Sequence, residues 1–245
     1  MKKIIYGFSI LSLLSISILS DAQDKKPTKT GGKSFIAVTG GLSTVGGNYA
    51  KGDYYNSQSG FAKTGFNLGI TGACFFKNSN WGIGGHFFYT HYGFNNSQGM
   101  AEGYKEDFDI DSSTVYIKGQ NQNLNFLIGP YYNFSFGKLS LDIHALAGLT
   151  HATLPGNEVY LEDGIGNQLI QKKSTASVLG LEGGFNLKYA ITQHFGVLIG
   201  ANYNYAKPNF KVVNENRNVN AGRKIDKYNE AIAGIQGNIG VFYSL

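Results

Sequence analysis

Residues 231–245, AIAGIQGNIGVFYSL, alternate in character. Ala231, Ala233, Ile235, Gly237, Ile239, Val241, Tyr243 and Leu245 are apolar or small. The residues between them, Ile232, Gly234, Gln236, Asn238, Gly240, Phe242 and Ser244, are mostly small or polar. Successive side chains of a strand point to opposite faces, so this stretch predicts a strand with one apolar and one mixed face. The same period recurs upstream over residues 34–47, 61–76, 81–94, 123–136, 139–150, 174–190 and 195–206. Residues 123–136 show it most clearly, with Leu124, Phe126, Ile128, Pro130, Tyr132 and Phe134 against Asn123, Asn125, Leu127, Gly129, Tyr131, Asn133 and Ser135. Proline lacks the ladder donor, so a bulge is expected at Pro130.

The connections between these strands alternate long, short, long, short, long, short, long. The short ones are residues 77–80, 137–138 and 191–194, and the long ones are rich in polar and charged residues. Aromatic residues crowd the short turns: Phe76 and Trp81, Phe134 and Phe136, Tyr189 and Phe195, with Tyr243 near the chain's last residue. Tyr89, Tyr203 and Tyr205 lie toward the other rim. An aromatic girdle at each interface, short turns on one side and long loops on the other are features of membrane barrels. An open sheet edge in lipid would leave backbone groups unpaired, so the strands must close. The expected fold is all-β, an eight-stranded antiparallel up-and-down transmembrane β-barrel with short periplasmic turns and long extracellular loops.

The amino terminus adds a location. Lys2 and Lys3 precede the apolar run 4–19, and Ser20-Asp21-Ala22 supplies small residues at a cleavage site. This pattern predicts a signal peptide over 1–22, a polar periplasmic lead-in over 23–33 and a barrel domain over 34–245. The apolar run is shorter than the ~20 residues of a spanning helix. Cys74, the single cysteine, cannot form an internal disulfide and reads as a small lipid-facing filler. Charged residues make up only 15% of the chain, against about 25% in soluble domains, as expected when many positions face lipid.

The strand and loop pattern resembles the small eight-stranded outer-membrane barrels, namely the OmpX and opacity-protein type and the membrane domain of OmpA, over nearly the whole mature chain. Such barrels usually end in phenylalanine, whereas this chain ends in Leu245. The resemblance implies a lumen plugged by charged side chains. The barrel-assembly machinery is expected as a partner during insertion, outer-membrane lipid and lipopolysaccharide as surroundings, and a monomer as the assembly state.

Candidate chemistry is sparse. An eight-stranded barrel has an interior just filled by side chains, so His86, Asp142, His144, Glu182 and Lys188, inward by parity, are expected to form a lumen polar network. Asp142 and Lys188, near the short-turn ends of neighbouring strands, are placed to pair. The network reads as a structural polar core or as a gated small-ion path. The second long loop is acidic through Glu102, Glu106, Asp107, Asp109 and Asp111. Its run Asp107-Phe108-Asp109-Ile110-Asp111 reads as a protruding strand with carboxylates on one face; a calcium loop would need a following glycine and a distal Glu. The last loop is basic: Lys207, Lys211, Arg217, Arg223, Lys224 and Lys227 are candidates to contact lipopolysaccharide phosphates. The two loops are expected to attract each other across the mouth. His91 and His151 face lipid on non-neighbouring strands and lack a nucleophile motif. No catalytic residue, metal ligand, cofactor or nucleic-acid contact is expected. The function expected is a structural, adhesive or envelope-maintenance role through the extracellular loops, with a narrow pore as its variant. The alternatives are a soluble periplasmic lipocalin-like carrier of an apolar ligand and a lipid A-modifying enzyme.

Overall fold

The computed structural model describes residues 32–217 and 222–245. The segment read as a signal peptide, and all but the last two residues of the lead-in, lie outside the described residues. In chain order the strands are β1 (Phe35–Val45), β2 (Ala62–Phe75), β3 (Trp81–Phe94), β4 (Ser113–Lys118), β5 (Asn121–Phe136), β6 (Leu139–Leu154), β7 (Gly156–Leu161), β8 (Gln168–Gln171), β9 (Ser174–Ala190), β10 (Phe195–Ala206), β11 (Asn209–Arg217), β12 (Gly222–Asn229) and β13 (Ile232–Ser244). One helix, α1 (Ser97–Phe108), lies between β3 and β4.

Eight of the strands close into a barrel in the order β1-β13-β10-β9-β6-β5-β3-β2. The seam joins the first strand to the last, from Phe35 opposite Ser244 to Val45 opposite Gly234. Closure pairs every barrel strand on both sides, which a lipid surround demands. The two-residue turn between β5 and β6 holds Gly137 at φ +67, a conformation glycine adopts without a Cβ penalty.

The faces point as the alternation predicts. Leu124, Ile128, Leu181, Ile199 and Ile239 are exposed on the outer wall, Ile239 by 66%. Phe76, Trp81, Phe134, Phe136, Tyr189, Phe195 and Tyr243 ring the short-turn end, all exposed. A soluble carrier would bury this apolar set around its ligand; here it covers the outside, and the lipocalin-like alternative falls. Cys74 is exposed on the same wall.

Three local readings need correction. The bulge expected at Pro130 is absent. Ile128 pairs with Ala147 and Tyr131 with His144 in one unbroken register, the ladder to β6 simply lapsing between them, while Pro130 lies opposite Ile83 of β3. The described ladders are shifted instead between Lys63 and Gly65. Second, residues 107–111 are not a strand. Asp107 and Phe108 end α1, and Asp109 caps it in the left-handed conformation, its N–H bonded to the carbonyls of Glu106 and Lys105. At the other end the Asn96 side chain accepts a hydrogen bond from the Gly99 N–H, which satisfies one of the helix's orphan donors. Third, three of the four long connections are not loops throughout. β4, β7, β8, β11 and β12 form a second sheet in the order β12-β11-β8-β7-β4 beyond the outer rim.

Candidate functional site

The lumen is filled in layers. Nearest the short turns, Lys188 Nζ lies 2.7 Å from Asp142 Oδ2 and 3.7 Å above the centre of the Phe35 ring. Asn133 donates to the other Asp142 oxygen at 2.6 Å and accepts from Ser135. Higher up, Glu182 sits between two imidazoles. His86 Nδ1 is 3.0 Å from its carboxylate and His144 Nε2 3.2 Å. All five side chains read as inward lie inside the barrel and are buried, divided into one pair and one triad. Inward apolar residues fill the space around them: Leu127, Tyr131, Leu146, Leu198 and Phe242 pack with Phe35 and Phe88. A buried charge needs a partner, and geometry provides one for each.

Toward the outer rim the filling becomes amide and hydroxyl. Gln236 donates to Thr90 at 3.1 Å, and Thr150 donates to Asn125 at 2.7 Å. The free space here is about 10 Å³, about the volume one water needs. The mouth is then covered by a second cluster, with Tyr49, Tyr92, Phe210, Val212 and Ile232 packed together. Tyr228, Ser59 and Glu230 complete the cover, with Tyr228 Oη 2.8 Å from both the Ser59 carbonyl and Glu230 Oε2.

Above the mouth stands the outer sheet with α1 against β4 and β7. The helix carries little apolar surface. It is held by buried Met100 and by Gly103, whose missing side chain leaves room for the Tyr54 ring. Tyr54 donates to Asp107 at 2.7 Å and Tyr55 to Glu106 at 2.6 Å. Burial and the bond to Asp107 push the Tyr54 phenol well above its ordinary range. The Tyr55 phenol is pushed up to about 12, chiefly by its bond to Glu106. The acidic end of α1 is thus tied to the first long connection, not to the basic one. Among the described residues no ion pair joins the second and last loops: those in the outer part run Lys118–Glu158, Lys172–Glu215 and Lys224–Asp226.

The six basic residues are all exposed. Register divides them. Lys211 lies opposite Lys227 and Glu215 opposite Arg223, so Lys211, Arg217, Arg223 and Lys227 share one face of the sheet. Lys224 lies opposite Asn214 on the other face, and Lys207 precedes β11. On the face that carries Lys224, a groove of about 440 Å³ opens beside α1. Tyr104 walls it, and Asn157, Leu169, Gln171, Asn214 and Asn216 are among its floor residues. Sequence reading passed over these residues. Asn214 and Asn216 alternate with Val213 and Glu215, a strand signal too short to separate from loop polarity.

Comparison with known proteins places this architecture. The sequence profile described as outer membrane protein beta-barrel domain matches residues 11–234. The chain belongs to this outer-membrane β-barrel family. Solved structures similar to it include Ail, the attachment invasion locus protein of Yersinia pestis, at 20% identity and a TM-score of 0.44, covering 88% of this chain and 100% of that one. A major outer membrane protein of Thermus thermophilus matches at 12% identity and 0.49, covering 86% and 98%. OprG of Pseudomonas aeruginosa matches at 13% and 0.42, covering 89% and 99%. No curated protein sequence matches significantly. Among the described residues, no group of three or more metal-ligating side chains gathers at one point.

Proposed function

We propose that this outer-membrane barrel is an anchor for a recognition surface, and that its role is adhesive or envelope-organising, not conductive or catalytic. The observation that carries this reading is the second sheet. Three connections that need only link barrel strands instead build five paired strands and a capped helix above a covered mouth. Loops placed on a rigid scaffold commonly carry binding function. The filled lumen and the cluster over the mouth weigh against the narrow-pore variant.

In the same reading, residues 1–22 direct export and are removed, the barrel-assembly machinery inserts the chain, and one copy suffices. Lipopolysaccharide borders the barrel. Lys211, Arg217, Arg223 and Lys227, on one sheet face, are the candidates to meet its phosphates, with Lys207 beside them; Lys224 is committed to Asp226.

The test replaces residues 156–171, the β7–β8 hairpin, with a tight turn. Cells carrying the intact chain and cells carrying the shortened one are compared for surface attachment and cell–cell aggregation. The reading expects the shortened chain to insert but lose attachment. Steady single-channel conductance of the purified intact protein in planar bilayers at neutral pH would overturn it. So would attachment indifferent to the hairpin.

A further inference from the structure

The groove beside α1 has a chemical character of its own. Strand register places Asn157 opposite Gln171 and Gln171 opposite Asn214. Asn216 follows two residues on, opposite Leu169. Carboxamides therefore run across β7, β8 and β11 on a single face, and Tyr104 of α1 stands at their side. A carboxamide carries both donors and an acceptor; the Gln171 amide gives one donor to the Pro155 carbonyl at 3.3 Å and keeps the rest. A row of groups that donate and accept together suits a ligand whose groups do the same, and neighbouring hydroxyls of a sugar ring are such groups.

Charge narrows the choice. The cation on this face, Lys224, is 2.9 Å from Asp226, and the Asn214 amide donates to the same carboxylate at 3.1 Å. Glu215, at the groove's edge, is 2.6 Å from Lys172. Arg223 also lines the groove. It lies opposite Glu215 and helps Lys172 hold that carboxyl below its ordinary value, so each cation at the groove already faces a carboxylate and an anion meets little net attraction. Asn216 Oδ1 has no hydrogen-bond partner among the described residues; it is screened from solvent, so a ligand donor would reach it only on rotation of the amide. The Tyr104 ring is held edge-on to Tyr54 at 4.9 Å and beside Phe108 at 6.5 Å. A braced ring with an apolar face is a surface for the C–H side of a pyranose. The volume, about 440 Å³, falls within the ~300–1,000 Å³ of small-molecule sites.

We propose that this groove binds a neutral, hydroxyl-rich oligosaccharide, with a sugar ring against Tyr104 and its hydroxyls on the carboxamide row. The proposal rests on the reading of the outer sheet as a recognition surface and names what that surface takes.

The experiment uses the full chain in amine-oxide micelles, since sugar-headed detergents would compete. It is titrated on an array of neutral oligosaccharides (gluco-, manno-, xylo- and N-acetylchito-hexaoses) beside hexagalacturonate and a sulfated hexasaccharide. Side-chain amide NMR and calorimetry are the readouts. Folding of each variant is checked by its heat-dependent electrophoretic shift. The expected result is binding of at least one neutral saccharide with perturbation of the Asn and Gln side-chain amides. Tyr104→Ala and Gln171→Leu should each weaken it about tenfold, the loss of one ring or amide contact. Preference for the anionic saccharides, or neutral binding indifferent to both Tyr104→Ala and Gln171→Leu, would overturn the proposal. A silent array would overturn it too. If attachment by cells still depends on residues 156–171 while the array is silent, only the saccharide assignment fails and the recognition surface stands.

Discussion

Lys188 and Asp142 are both buried, and each is the other's counter-charge at 2.7 Å. Removing one partner strands the other, which costs about 3–5 kcal/mol, whereas replacing both with apolar residues of similar size is often neutral or stabilising. Lys188→Met alone is expected to destabilise the barrel by that amount, and Lys188→Met with Asp142→Leu by much less. Urea unfolding from lipid vesicles, followed by the fluorescence of Trp81 at the short-turn rim, measures both. A second residue-scale expectation concerns Glu230. Tyr228 Oη has one proton but two acceptors at 2.8 Å, the Ser59 carbonyl and Glu230 Oε2. A protonated Glu230 resolves the conflict by donating to Tyr228, which then donates to Ser59. Burial pushes this carboxyl above its ordinary value, against the hydrogen bonds from Tyr228 and the Ala231 N–H. A raised folded-state pKa gives stability that is complete below the unfolded-state value and lost as pH rises through the folded one. The segment over the mouth should therefore exchange its amide hydrogens more slowly at low pH, after correction for intrinsic exchange. Glu230→Gln should flatten that dependence; an unchanged pH profile in the variant would refute the assignment.

At the scale of elements, the seam between β1 and β13 is where the barrel closes, and two glycines there play unequal parts. A side chain on Gly41 would collide with the Gly237 carbonyl, whereas one on Gly237 would meet nothing within 4 Å. Gly41→Val is expected to block closure and lower the fraction of protein that migrates as the folded form in unheated gels. Gly237→Val, which adds apolar surface on the lipid side, should fold normally. Helix α1 shows why its element escaped a reading by period. It has Gly at 99 and 103 and no apolar stripe, while Asp107 to Asp111 mimic strand alternation. Its place depends on Tyr54, some fifty residues earlier, filling the notch at Gly103.

On the scale of the whole molecule, the barrel wall and the outer sheet are immersed in different solvents. Ile199 is 59% exposed on the wall and Ile225 60% exposed on β12. A lysine on the lipid face of a barrel costs about 2–4 kcal/mol near the midplane, while surface changes in water are usually within about 0.5 kcal/mol. Ile199→Lys is expected to impair insertion into vesicles and Ile225→Lys to leave it unchanged. Equal tolerance of the two would place the membrane boundary elsewhere. The open edge of β12 carries Arg223, Lys224 and Lys227, charges that discourage pairing with another chain.

The barrel was legible in residue order because its cause is local. A pleat turns each side chain to one face or the other, and lipid rewards apolar residues one by one, so Leu124, Ile199 and Ile239 reveal their side of the wall without reference to any partner. The alternation of long and short connections then gives the strand count and the polarity across the membrane. Parity also sends His86, Asp142, His144, Glu182 and Lys188 inward. Position on neighbouring strands brings Lys188 to Asp142, but it does not say that Glu182 meets His86 across the barrel as well as His144 on the next strand; that follows from closure and register. The outer sheet was hidden for a related reason. Its strands are short, mostly bathed in water and joined into one sheet only by the distant pairings β4–β7 and β8–β11, so polar residues such as Asn157, Gln171 and Asn214 look like loop until β7, β8 and β11 align. Tertiary pairing alone assembles the groove, because it depends on which strand lies beside which.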